Sequence, residues 1–127
     1  MSASGFAAVG IGAALGAWLR WLLSIAFNSV LTSMPLGTLA ANLIGAYLIG
    51  IAIEYLTSHV GLPPEIRLFV ITGFLGGLTT FSSFSAEAVA LLSRGQYGWT
   101  AVHIGAHLIG SIVLTVLGIL TVNALSR

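Results

Sequence analysis

Four apolar stretches, each long enough to cross a bilayer and nearly free of charge, leave this chain little choice of fold. They run from about residue 5 to 27, 38 to 55, 66 to 92 and 99 to 125. At about 1.5 Å of rise per residue, each reaches across or close to the roughly 30 Å of hydrocarbon. Inside lipid every backbone N–H and C=O must pair within the protein, so such stretches become helices. Charged residues make up 6% of the 127; soluble domains carry about 25%. Too little charge is present to clothe a water-facing surface. The expected fold is all-α and integral to the lipid bilayer, one transmembrane domain over residues 1–127 with four spans.

Composition closes several other routes. There is no cysteine, so disulfides, thiolate metal sites and thiol nucleophiles are excluded. Four arginines and no lysine form no basic run for a nucleic acid to bind. The first apolar stretch lacks a basic leader and is too long for a signal-peptide core. Short polar segments at Asn28–Pro35, Thr57–Glu65 and Arg94–Gly98 read as the loops. Trp18, Trp21, Tyr55, Tyr97 and Trp99 fall near span ends, where interfacial aromatics belong. Gly12 with Gly16, and Ala13 with Ala17, are four apart and permit close helix approach.

The third stretch differs from the others. Its middle reads Gly73-Phe74-Leu75-Gly76-Gly77-Leu78-Thr79-Thr80-Phe81-Ser82-Ser83-Phe84-Ser85. Paired glycines and paired β-branched threonines are poor helix formers, so this helix is expected to break near the membrane centre. Backbone groups freed there must find partners in the protein, and free carbonyls can coordinate a cation; a passive kink bridged by hydroxyls is the alternative.

With four spans, Arg67 and Arg127 fall on one side and Arg94 on the other, with Arg20 near it. Two against two leaves almost no charge bias to orient the chain. Insertion in both orientations and assembly as an antiparallel pair follow as one outcome. A single orientation, settled by one arginine, is the other. Four helices are too few to enclose a generous pore, which favours an oligomer.

Polar groups in hydrocarbon are expensive and tend to carry function. Thr38 and Asn42 share one face of the second span, and the asparagine amide can donate two hydrogen bonds to an anion or, alternatively, hydrogen-bond one helix to another. His103, His107, Ser111 and Thr115 recur at four-residue steps and form a polar stripe on the fourth span. The stripe suits a path for a dehydrated ion or, alternatively, glue between helices. His103 and His107 also have metal-ligand spacing, but no third ligand stands beside them, Glu87 being a distant candidate. Phe81 and Phe84 can share a face, and their electropositive ring edges can contact an anion; simple packing is the alternative. Arg20 can draw anions to a vestibule or snorkel to headgroups.

Three segments carry a resemblance: Gly12 to Trp21 (GAALGAWLRW), Gly37 to Gly45 (GTLAANLIG) and Gly73 to Glu87 (GFLGGLTTFSSFSAE). Together they resemble the Fluc family of fluoride channels, also called CrcB, over nearly the whole chain. The third segment is the most specific. The resemblance implies a dual-topology antiparallel homodimer with two fluoride pathways along its interface. It implies Phe81 and Phe84 at the anion, with Asn42 as an amide donor. Gly76 and Thr79 would offer main-chain carbonyls to a central structural sodium ion. Thr38, Ser111 and Thr115 would fall on the polar track, Glu87 near its end, and Arg20 at the vestibule. Ser83 stands where threonine is usual and keeps the hydroxyl. His103 and His107 stand where tyrosine and serine are expected. An imidazole titrates near pH ~6.5, which would bring pH dependence to conduction or change the early steps of the track.

The reading is therefore a passive fluoride-selective channel that exports fluoride across a microbial cell (inner or plasma) membrane, with no enzyme chemistry and no organic cofactor. A small proton-coupled exporter would need a carboxylate near mid-membrane, and Glu54 and Glu87 read as too near span ends. A non-transporting assembly protein would tolerate changes at Phe81 and Asn42.

Overall fold

The computed structural model describes residues 1–127 and is entirely helical. Its elements are α1 (Ala3–Phe27), α2 (Leu36–Ser58), α3 (Pro64–Arg67), a π-helical stretch (Leu68–Leu75), α4 (Gly76–Leu78), α5 (Phe81–Ser93) and α6 (Tyr97–Leu125). Pro64–Ser93 acts as one span, so four helical segments are long and apolar enough to cross a membrane.

The helices begin about two residues before the apolar stretches do, because hydropathy locates the lipid-facing part while capping groups set the ends. Ser2 starts α1 by accepting a hydrogen bond from the Gly5 N–H at 3.0 Å. Pro64 opens the third span, at a position where its missing N–H costs nothing. The Asn28 side chain accepts from the Thr38 N–H at 3.1 Å and so satisfies a donor in the first turn of α2.

The break in the third span falls three residues later than the glycine pair. Gly76 and Gly77 are helical. Thr79 (φ −85°, ψ 154°) and Thr80 (φ −148°, ψ 116°) are the extended residues. Two β-branched side chains favour that conformation, and the Thr80 hydroxyl restarts the helix by accepting from the Ser83 N–H at 3.0 Å. The π-helical winding just before the break carries no signature in the sequence.

Small residues set the packing. α1 lies against the first half of the third span, with Gly12 and Gly16 on the backbone of Phe69 and Phe74, and Gly77 on that of Ala13. A Cβ at any of these three would run into main-chain atoms. On the other side α2 meets α6, where Gly50 abuts the Thr115 backbone and Gly118 that of Tyr47. Backbone-to-backbone contact of this kind supplies the van der Waals attraction that holds helices together in lipid. Ala41, Ala52, Leu75 and Leu78 form the small apolar core between these pairs. Only 20 of 127 residues are buried, so most of the apolar surface has to be met by lipid or by another copy of the chain. Trp18, Trp21, Tyr55, Tyr97 and Trp99 are all exposed.

Candidate functional site

The break would leave unpaired backbone inside the membrane, and two neighbouring helices close it. From α2, Asn42 accepts from the Thr80 N–H at 2.8 Å and donates back to the Thr80 carbonyl at 3.1 Å. From α1, the Arg20 Nε–H donates to the Gly77 carbonyl at 2.9 Å. Arg20, expected at a vestibule or among headgroups, is therefore half-buried and pinned to the break. In an unbroken helix the N–H groups of Thr80 and Ser83 would go to the carbonyls of Gly76 and Thr79. Here they go to Asn42 and to the Thr80 hydroxyl. Those two carbonyls are thus released from the ladder.

A groove of about 660 Å³ opens beside the break. Its lining includes Asn42, Gly76, Thr79, Phe81, Phe84, His107, Ser111 and Thr115. Phe81 is 80% exposed and lies tilted against Phe84, with ring centroids 5.7 Å apart at 55°. The Phe84 ring in turn stacks on His103 (5.2 Å, 18°) and lies tilted on His107 (4.7 Å, 44°).

Behind the phenylalanines runs a file of polar groups. Thr38 donates its hydroxyl proton to Glu87 Oε2 at 2.6 Å. Glu87 Oε1 lies 3.7 Å from His103 Nε2, which also stands 3.2 Å from the Phe84 carbonyl. The His103 and His107 ring centroids are 4.5 Å apart. Asn42 Nδ2 meets His107 Nδ1 at 3.1 Å. Because Thr80 fixes the Asn42 amide, Nδ2 is the donor in this last contact. Neutral His107 therefore accepts on Nδ1 and carries its proton on Nε2. Both Asn42 N–H groups are spent on protein acceptors, while His107 Nε2 has none. The N–H donor without a protein partner is that of His107, not the Asn42 amide expected from the sequence.

The stripe on α6 divides. His103 and His107 are buried. Thr115 spends its hydroxyl on the carbonyls of Ala46 (3.0 Å) and Ser111 (2.9 Å), joining α6 to α2. Ser111 faces the groove. Ser83 is half-buried on α5, and its backbone N–H is held by Thr80. Glu87, distant from the histidines in sequence, is brought into contact with them because α5 packs on α6. Thr80 is the residue that sequence reasoning passed over. Its helix-capping spacing to Ser83 was the available signal.

A helical membrane protein with a polar file behind apolar walls has the parts from which pathways for ions and small solutes are built. Residues 7–119 match the family described as CrcB-like protein, Camphor Resistance (CrcB), and the chain belongs to that family. It is 64% identical over 120 residues to a protein of Nitrosospira multiformis named fluoride-specific ion channel FluC, covering 94% of each chain. A Cupriavidus taiwanensis protein of the same name is 59% identical over 126 residues, covering 99% of this chain and all of the relative. One from Pseudomonas aeruginosa is 55% identical over 116 residues, covering 91% of each. These relatives are named as channels and not as enzymes.

Proposed function

We propose that this chain is a passive, fluoride-specific channel that lowers fluoride toxicity by letting the ion leave the cytoplasm across the cell (inner or plasma) membrane. The observation that carries the reading is the groove lined by exposed Phe81 and by Phe84 and His107 beside the break, with the unpartnered His107 Nε2–H buried behind it. Fluoride is small and tightly hydrated, so each water it loses must be replaced by a donor at close range. N–H and O–H groups and electropositive ring edges do this without burying a full positive charge.

In this reading the groove is closed by a second copy in antiparallel orientation, and the homodimer holds two pathways. The balanced arginine count permits both orientations, and the open apolar face needs a cover. Phe81 and Phe84 face the anion, with His107 donating and Asn42 setting its tautomer. Ser111 and Thr115 lie along one end of the track; Thr38, Ser83, His103 and Glu87 lie along the other. Arg20 adds positive potential near the vestibule while holding the break. The released carbonyls of Gly76 and Thr79 suit a hard cation, and these residues from both copies would hold a central sodium ion. Bound there, sodium would tie the two broken helices together and add positive charge.

The test is halide efflux from liposomes that contain the purified protein, loaded with fluoride or chloride, voltage-clamped with valinomycin and followed by ion-selective electrodes. Fast fluoride release without chloride release is expected, and Phe81→Ile should slow it. Folded protein that releases no fluoride would sink the reading.

A further inference from the structure

We propose that Glu87, His103 and His107 form a binding site for a divalent transition-metal ion, Zn²⁺ in the first instance, and that an occupied site blocks the ion path. One ligand atom from each of the three lies within 4.8 Å of the other two. His103 and His107 are 0% and 5% exposed. Each of the three residues also keeps one buried polar atom without a hydrogen-bond partner: Glu87 Oε1, His103 Nδ1 and His107 Nε2. Three such orphans in one cluster are costly in a protein immersed in lipid.

Two imidazoles and a carboxylate form a donor set that Zn²⁺ takes with a fourth position left open. The imidazoles favour Zn²⁺, Cu²⁺ or Ni²⁺ over Mg²⁺ or Ca²⁺. Bonds of about 2.0–2.1 Å set tetrahedral ligand atoms about 3.3 Å apart, so the trio must draw in by roughly 1.5 Å at its widest. The Glu87 side chain can supply this by rotation, and the Thr38 hydroxyl on Oε2 supports the carboxylate from behind.

Blockage follows from the imidazole's single lone pair. Metal-free His107 gives that lone pair to the Asn42 amide. Once His107 coordinates a metal, whichever nitrogen it uses, its other nitrogen carries a proton and cannot accept from Asn42. The Asn42–His107 bond must break, and a divalent charge then sits beside the track and traps the anion. Metal binding rests on the ligand geometry alone; blockage rests also on the channel reading.

The test uses the full chain in detergent and in liposomes. Calorimetric titration with Zn²⁺ should give one ion per chain, and Co²⁺ should show the intense visible absorption of a tetrahedral centre. His103→Gln and His107→Gln should abolish both signals. His59→Gln, at the exposed end of α2, should change neither. Thr38→Val should weaken Zn²⁺ binding by about 10–100-fold. In liposomes, Zn²⁺ should suppress fluoride efflux relative to the metal-free rate, and EDTA should restore it. Wild-type binding no tighter than that of the His103→Gln, His107→Gln double variant overturns the site, as does a Co²⁺ spectrum that stays octahedral. Tight binding with undiminished efflux overturns the blockage. Absence of efflux without metal fails the channel reading instead, and the titration still decides the site.

Discussion

The third and fourth spans solve the same problem in opposite ways. The fourth, α6, is one unbroken helix of 29 residues. Its backbone bonds stay internal, so His103 and His107 are free to face the polar file. The third span interrupts its own ladder at Thr79–Thr80 and spends side chains from two other helices, Asn42 and Arg20, on closing the gap. In lipid a helix can offer polar side chains or polar backbone. Offering backbone commits its neighbours as well.

That contrast can be broken by removing partners one at a time. The largest effect is expected from Asn42→Ala, which strips both Thr80 backbone groups of their partners. At about 1–3 kcal/mol per unsatisfied buried group, the loss is about 2–6 kcal/mol. Denaturant titration in micelles should show it, together with loss of fluoride efflux. Arg20→Met removes a charged donor from the Gly77 carbonyl and should cost about 1.5–3 kcal/mol in the same assay. Thr115→Val on the unbroken span should cost only about 0.6 kcal/mol, the usual size of an interhelical hydrogen bond in a bilayer. If Thr115→Val proved as damaging as Asn42→Ala, the two spans would not differ in the way described.

Much of this was legible in advance. Four spans follow from hydropathy and the break follows from the Thr-Thr pair, because both act through local propensity, while the Gly-Gly pair stays helical. The exact place of the break was not legible, since it depends on the Thr80 hydroxyl capping α5 and on Asn42 reaching over from α2. The fate of Arg20 depended in the same way on α1 lying against the third span through Gly12 and Gly16. Asn42 reads from the sequence as an amide donor. Of its two readings, the bond between helices is the one its neighbours realise, and the same amide orients His107.

By itself the sequence determined what the bilayer imposes on any chain of this kind: helices of membrane length, interfacial aromatics, close-packing glycines and one helix unable to stay whole. Those properties depend on residues near one another along the chain. Only the tertiary structure decided which polar groups meet. Glu87 joins His103 and His107, the carbonyls of Gly76 and Thr79 stand released at the break, and a single histidine N–H is left without a protein acceptor. These depend on side chains from different helices, and in lipid each polar group takes whichever partner the packing brings within reach.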